Sequence, residues 1–522
     1  MNATMRPMAC AGCRLNRRNF LSTGCAACAG VAGLGLAAVS ARAAEPRKPL
    51  RIRIFYALHA PVQPRADWPN VGFNFQPVMD RFVPELRARC PGFEFEATQA
   101  SDEPTAKAAL EADKNGRADG YIVYQLNCWN RVVQPVAATG KPTLLIDFPF
   151  GGSGGVLVYA SQFMKSGTPN VGFVASPQMD DIAAAVRCFS QVAPNGADFA
   201  ARVASARRAG TPVAGALACT ADPVATLSPK DCLAKMREAK LLVVTDRKVG
   251  NIEAIRQQMG IDVIPTAFDE LNAAWQAADK DEAKAVADRW KKTAKAIVDV
   301  SRETLETSAA MYVGEKALLK KHGAIGLTVN CLGGFYGGHI HAYPCLGFHE
   351  LNNEGLIGGC EADVQSASTM IAMTTLTQGR PGYISDPILD TSKRQIVYAH
   401  CVASNRPFGP QGPANPFEIL THSEDRQGAA VRSLFPSGYM TTSVEFSAPK
   451  KQILFHQAKA VANLDDDRAC RTKLVGEPVG DFEKLFTKWC DWGWHRVTVF
   501  GDLKEPVFAL ADALGWEVVR EA

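Results

Sequence analysis

Apolar and polar positions along this chain change their rhythm from one third to the next. In the first part, short apolar runs of β character alternate with stretches of helical period. "LRIRIFYAL" (50–58) comes first, then a helical stretch at about 77–89, "GFEFEAT", a helix at about 104–115, "DGYIVYQL" and "KPTLLIDFP" (141–149). "NVGFVAS" adds a further strand. Strands alternating with helices predict a parallel sheet of the doubly wound kind. After the Ala/Gly-rich segment 195–220 a second series begins. "KLLVVTD" reads as a buried strand, "NIEAIRQQMG" as a helix ended by Gly260, and "IDVIPTAF" as a strand. Residues 269–321 read as long helices whose many charges form a solvated face. "AIGLTVNCLGGFYGG" is the next strand and its glycine-rich exit.

Beyond residue 379 the texture changes again. "RQIVYAHCVAS", "YMTTSVEFSAP", "KKQILFHQAKAVAN" and "RVTVFGD" are short β runs between Pro, Gly and Asp turns, which predict an antiparallel, barrel-like sheet. "EPVFALADALGWEVV" closes as a helix and a strand. The expected fold class is α/β: two doubly wound α/β domains, over 44–205 and 206–378, then a mainly antiparallel β domain over 379–522. A length of 522 residues agrees, since chains this long divide into about two or three domains.

Charge excludes one class. The net charge is +4 and no basic block stands out in the body, so nothing points to nucleic acid. Residues 1–43 differ from the rest. "RLNRRNFLSTG" carries Arg17 and Arg18 ahead of a weakly apolar Ala/Gly/Leu run, and "ARAAEP" offers a small-x-small cleavage site. This is the layout of a twin-arginine (Tat) export signal. It makes the Tat machinery an expected partner and the periplasm or exterior the expected location. Export in the folded state lets a metal be loaded beforehand. Cys10, Cys13, Cys25 and Cys28 form two CxxC pairs in this leader; the other cysteines are scattered and do not suggest a disulfide framework.

Two stretches draw attention as chemistry. "GGSGG" (151–155) follows a strand, but no P-loop lysine follows it, so it reads as a flexible loop near a cleft. In "GGCEADVQSASTM" a glycine-rich turn brings Glu361 to the start of a helix, where the positive helix end holds a carboxylate. Asp363 has the same explanation. Asp386 in "GYISDP" sits at a turn, His400 in "VYAHC" at the end of a β run, and His495 in "WGWHRVTVFGD" just before another. Two carboxylates and two imidazoles at element ends make a candidate divalent site, with oxygen and nitrogen donors that suit Mn²⁺, Co²⁺ or Fe²⁺. Asn330, His339, His341 and Trp494 are candidates for the cleft lining. His59, His322, His422 and His456 carry no motif and read as structural.

Taken together, "TVNCLGG", "YPCLGFHELNNEGLIGGCEADVQSASTM", "GRPGYISDPILD", "IVYAHC" and "WHRVTVFGD" resemble the L-fucose isomerase and L-arabinose isomerase superfamily over about the last 200 residues. The resemblance implies a Mn²⁺-dependent aldose–ketose isomerase acting on a free or modified sugar through a cis-enediol. It implies Glu361 and Asp386 as acid/base pair and metal ligands, His400 and His495 as the imidazole ligands, and a trimer or hexamer. The late motif departs from the family: Arg496 stands where a second imidazole is common, which makes it a candidate substrate contact. Other readings stay open: a metal-dependent epimerase or lyase, an exported sugar-binding protein, or a redox protein built on the CxxC pairs.

Overall fold

The first sheet is built on β1 (Leu50–Ala57), buried from Ile52 onward. A mostly apolar strand of this kind belongs inside a parallel sheet covered by helices. The structure, a computed structural model, describes residues 48–114, 117–192 and 196–522. The expected export signal and its cysteine pairs lie outside the described residues. With β2 (Phe93–Ala100), β3 (Gly120–Gln125), β4 (Thr143–Asp147) and β5 (Val171–Val174), β1 forms a sheet in the order β2-β1-β3-β4-β5, parallel throughout. The order reverses between β1 and β3, so a crevice opens at their carboxyl ends.

The second part repeats this plan. After β6 (Lys240–Val244) and β7 (Asp262–Thr266) come β8 (Ala296–Val298), β9 (Gly326–Val329) and β10 (Ile357–Cys360). Four of them form a parallel sheet in the order β10-β9-β6-β7, with its reversal between β6 and β9. The long helix Arg302–His322 starts where the Ser301 side chain accepts from the Thr304 N–H and stops at Gly323, φ 60°.

The last part holds β11 (Tyr383–Asp390), β12 (Gln395–His400), β13 (Phe417–Leu420), β14 (Ala430–Ser433), β15 (Met440–Ser447), β16 (Gln452–Asn463), β17 (Thr472–Pro478), β18 (Arg496–Phe500) and β19 (Glu517–Arg520). Six strands run β15-β18-β11-β12-β17-β16, and β16 pairs back to β15. Every pair in this ring is antiparallel, so it is a closed barrel without a free edge. β19 adds alongside β16. β8 pairs with β13, and β13 with β14, which ties the second α/β part to the barrel. One apolar core joins the second sheet to the barrel (Leu242, Val329, Ile384, Val444), and another joins the first sheet to it (Phe55, Val123, Tyr398, Trp489). The α/β and barrel fold class expected from the sequence is observed.

The glycines at 151–155 differ from the expected flexible loop. They start the buried helix Ser153–Lys165. A Cβ on Gly152 would lie 2.0 Å from the Gln125 carbonyl oxygen, and one on Gly154 3.1 Å from the Trp494 ring. These residues serve close approach, not mobility.

A buried ionic cluster closes the barrel. Arg496 Nη2 donates to Glu521 Oε1 at 2.6 Å, His456 Nδ1 meets Glu521 Oε2 at 2.7 Å, and Tyr398 and His456 are bonded at 2.7 Å. The Arg496 guanidinium lies 4.0 Å over the Trp489 ring. Burial alone would raise the Glu521 pKa, but Arg496 and His456 outweigh it and pull it from 4.5 to about 2. The folded pKa is depressed, so Glu521 contributes stability above about pH 4.5 that is lost as the pH falls toward about 2, on the order of 3 kcal/mol. Glu521→Gln should abolish that acid-side slope and cost about 3–5 kcal/mol at neutral pH, because Arg496 is left buried and unpaired. Urea unfolding at stepped pH checks both.

Candidate metal centre

β10 ends at Cys360, and a turn carries the chain through Glu361 and Ala362 into helix Val364–Leu376. Glu361 is therefore not in the helix's first turn, as its sequence context suggests. Asp363 takes the N-cap, its carboxylate accepting from the Gln365 and Ser366 N–H groups at 3.0 Å each. Glu361 and Ala362 both have left-handed backbones, φ 66° and 52°. Residues with a Cβ adopt this region at a cost, of about 1–3 kcal/mol each, and such strain clusters at functional sites. The Ala362 N–H donates to the Val329 carbonyl at 2.9 Å and pins the turn to the end of β9. The turn sends the Glu361 carboxylate into a cavity instead of along the helix.

Asp386, expected at a turn, lies within β11 opposite Ala399 of β12. His400 ends β12, and His495 immediately precedes β18, whose Arg496 pairs with Ser385. Since β18, β11 and β12 are neighbours in the ring, the three side chains meet at one end of it. His495 Nε2 is 3.1 Å from Asp386 Oδ1 and 3.6 Å from Glu361 Oε2; His400 Nε2 is 3.9 Å from Glu361 Oε1. The four groups expected from the sequence therefore lie together.

The two imidazoles are held differently. His495 Nδ1 is bonded to Asp363 Oδ2 at 2.9 Å, so a neutral His495 that donates this bond would keep its lone pair on Nε2, facing the Asp386 and Glu361 oxygens. For His400 the local bond runs the other way, as the Cys401 N–H donates to its Nδ1 at 2.9 Å. A neutral His400 then carries its proton on Nε2, and ligation through that atom costs one hydrogen bond. His495 is the imidazole already set for a metal.

The electrostatics fit a cation. Asp386 Oδ1 and His495 Nε2 are buried with no hydrogen-bond partner besides each other, and His400 Nε2 is buried without one. Burial, with repulsion from Asp386 and Asp363, raises the Glu361 pKa against the pull of His495 and His400. Burial would lower His495, but Glu361, Asp363 and Asp386 hold it well above the ordinary histidine value. Burial would raise Asp363; its bonds to His495 and Ser366 keep it below the usual carboxylate range. Lone pairs of a carboxylate and an imidazole about 3 Å apart repel unless a proton or metal ion lies between them. Ligand atoms of Glu361, His400 and His495 fall within 4.8 Å of one another, as do those of Asp386, His400 and Cys470.

The cavity in front of this cluster has a volume of about 610 Å³. Asp67 and Trp68 come to it from the loop after β1, Cys128 and Trp129 from that after β3. Asp246 and Arg247 follow β6, and Leu332 and Gly333 follow β9. Both parallel sheets thus open their reversal points onto one space, which the C-terminal part closes with Asp386 of β11, Trp494 before β18 and Glu424 of the β13–β14 loop. Trp494 sits edge-on to Trp68 and Trp129, with ring centres 6.3 and 6.2 Å away.

The other candidates divide. His339 lines the cavity, stacked on Phe268 with ring centres 5.4 Å apart. Asn330 is buried at the end of β9, its Nδ2 without a partner. His341 is exposed beside Trp275 and away from the cavity lining. Arg496 is corrected: its side chain is wholly buried on Glu521 and Trp489 and cannot touch a ligand in the cavity. Sequence reasoning missed Asp67, Asp363 and Glu424. Asp67 is bonded to His59 at 2.8 Å, and Glu424 accepts from the Tyr336 hydroxyl at 3.2 Å. Burial, reinforced by Asp67 and Glu361 and opposed by His422, pushes Glu424 up to about 8.

No family model matches the chain. It is 24% identical over 233 residues to a sulfoquinovose isomerase of Clostridium sp. (strain MSTE9), covering 40% of this chain and 46% of that one. It is 23% identical over 184 residues to sulfoquinovose isomerases of Priestia aryabhattai and Priestia megaterium, covering 33% of this chain and 40% of each. The chain spans less than half the length of these curated relatives. Two solved structures align over about half the chain: a sugar ABC transporter from Yersinia enterocolitica (12% identical, 54% of this chain and 65% of that one, TM-score 0.16), and AraP, an arabinose binding protein from Geobacillus stearothermophilus (13%, 56% and 80%, TM-score 0.18). Scores this low bear on neither fold nor function.

Replacing Asp363 with Asn keeps a capping acceptor but weakens the hold on His495. Asp363→Asn should lower Mn²⁺ affinity by about 10–100-fold in equilibrium dialysis, with thermal stability nearly unchanged.

Proposed function

We propose that this protein is a divalent-metal-dependent sugar isomerase that interconverts an aldose and its ketose through a cis-enediol. One observation carries the reading: Asp386 Oδ1 and His495 Nε2, buried and 3.1 Å apart with no other hydrogen-bond partner, face each other beside Glu361 at the floor of a cavity of sugar size. Partial similarity to sulfoquinovose isomerases supports the sugar-isomerase class.

Glu361, Asp386 and His495 would hold the cation, with Mn²⁺ the favoured occupant of a mainly oxygen donor set. When bound, it supplies Lewis acidity for the charge that develops on the two substrate oxygens. Glu361 and Asp386 lie at the cavity floor, where one takes the proton from one carbon and the other returns it to the neighbouring carbon. Trp68, Trp129 and Trp494 exclude water and offer faces and edges to a sugar ring. His339 and Asp246 at the rim are suited to hydroxyl groups. Epimerisation or lysis on the same donor set is the alternative outcome of the same enolisation. Export by a twin-arginine signal over residues 1–43, action outside the cytoplasm and assembly as a trimer or hexamer belong to the same proposal.

Metal-loaded protein incubated with a panel of aldoses in D₂O should place deuterium at C1 or C2 of one sugar and form its ketose. Glu361→Gln should lower that rate by about 10²–10⁴-fold. Binding of a sugar without deuterium exchange, unaffected by Glu361→Gln, would identify a binding protein instead.

A further inference from the structure

Cys470 lies two residues before the point where β17 pairs with His400, and it reaches past β12 to the far side of Asp386. Its Sγ is 3.8 Å from Asp386 Oδ2, whereas Asp386 Oδ1 faces His495. One carboxylate thus looks in two directions. On one side stand the oxygen-rich Glu361 and His495; on the other stands a thiol, and His400 borders both. Asp386, His400 and Cys470 are 4%, 3% and 5% exposed, and one ligand atom from each falls within 4.8 Å of the others. His400 Nε2 has no partner of its own.

From this geometry we infer a second, softer metal position formed by Cys470, His400 and Asp386, which takes thiophilic divalent ions such as Zn²⁺ or Cd²⁺ and withdraws Asp386 from the first. The inference rests on the reading of Asp386 as a ligand of the proposed isomerase site. Thiolate and imidazole strongly favour Zn²⁺ over Mn²⁺, while carboxylate-rich sets discriminate between them far less. A tetrahedral ion with bonds of about 2.0–2.3 Å holds its ligands roughly 3.3–3.8 Å apart, so the three atoms need to close by about an ångström. Binding deprotonates the Cys470 thiol and releases that proton to solvent. The resulting thiolate and the Asp386 carboxylate balance the two charges of the ion in a buried place. His400 Nε2 also lies 3.9 Å from Glu361 Oε1, so an ion in the soft position draws His400 as well as Asp386 away from the Glu361 side. The single Cys401 N–H bond that His400 gives up is small against a zinc–ligand set. An ion there draws on the Asp386 carboxylate that proton transfer uses, so Zn²⁺ should inhibit and excess Mn²⁺ should relieve the inhibition.

The test uses the full chain with Cys10, Cys13, Cys25 and Cys28 each replaced by Ser, so that the paired thiols near the N-terminus are silent. Co²⁺ added to metal-free, reduced protein should give a near-ultraviolet thiolate-to-cobalt band that Zn²⁺ displaces. Cys470→Ser should lose the band and bind Zn²⁺ at least about 10-fold more weakly, with Mn²⁺ affinity within about twofold of the parent. Cys401→Ser should keep the band. Retention of the band in Cys470→Ser, or its loss only in Cys401→Ser, would overturn the inference. X-ray absorption of the parent protein with one equivalent of Cd²⁺ needs no ligand variant: a sulfur neighbour is expected, and a shell of oxygen and nitrogen alone would also overturn it. None of these readouts depends on sugar turnover, so an inactive protein that shows the band refutes the proposed reaction and leaves the soft site standing.

Discussion

The hydrogen bond from His495 to Asp363 is the constraint on which the site depends. It joins residues from opposite ends of the C-terminal half and fixes which imidazole nitrogen faces the carboxylates. Asp363 can do this only because it is already immobilised as the cap of helix Val364–Leu376. The same turn forces Glu361 and Ala362 into left-handed backbone, which turns the Glu361 carboxylate away from the helix and toward His495. Cap, strain and imidazole tautomer are one arrangement, and each part loses its reason without the others.

Around that arrangement the fold supplies a place to put a substrate. Two parallel sheets with the same strand order bring their reversal points to one cavity, and a closed barrel supplies the floor. The barrel is a rigid support because its ring has no free edge and because Arg496, Glu521, His456 and Tyr398 lock it from within. Cores shared with both sheets hold the three parts in register. A donor set drawn from the turn after β10, from β11 and from the approach to β18 needs such rigidity, since misplacement of any one of them breaks it.

Much of the layering was legible in the chain. Apolar runs and helical period locate most parallel strands, the helices between them and four of the six ring strands, because burial on both faces leaves continuous apolar runs; β10 reads as a glycine-rich turn, and β11 and β17 do not stand out. Glu361, Asp386, His400 and His495 stand out in the sequence by chemical type, but only His400 and His495 lie at strand ends; Asp386 lies within β11 and Glu361 in the turn after β10. Their surroundings are not legible there. A helix start and a strained turn followed by a cap look alike in sequence, so the sequence alone puts Glu361 one element too far along. Asp363 looked like an ordinary helix-end charge, and its partner is 132 residues away. Arg496 stood next to His495 in sequence, but adjacent strand residues point to opposite faces, and this one turns inward to Glu521. The glycines at 151–155 suggested mobility where close packing against Gln125 and Trp494 was the cause.

The central claim is that His495 Nε2, Asp386 Oδ1 and Glu361 converge on one dication. Anomalous diffraction at the manganese edge, from crystals grown with Mn²⁺, tests it most directly. The account predicts a single strong peak in the cavity within bonding distance of all three side chains, with His400 still bonded to the Cys401 N–H. A peak elsewhere, or a cavity without one while His495 and Asp386 share a proton, would contradict it.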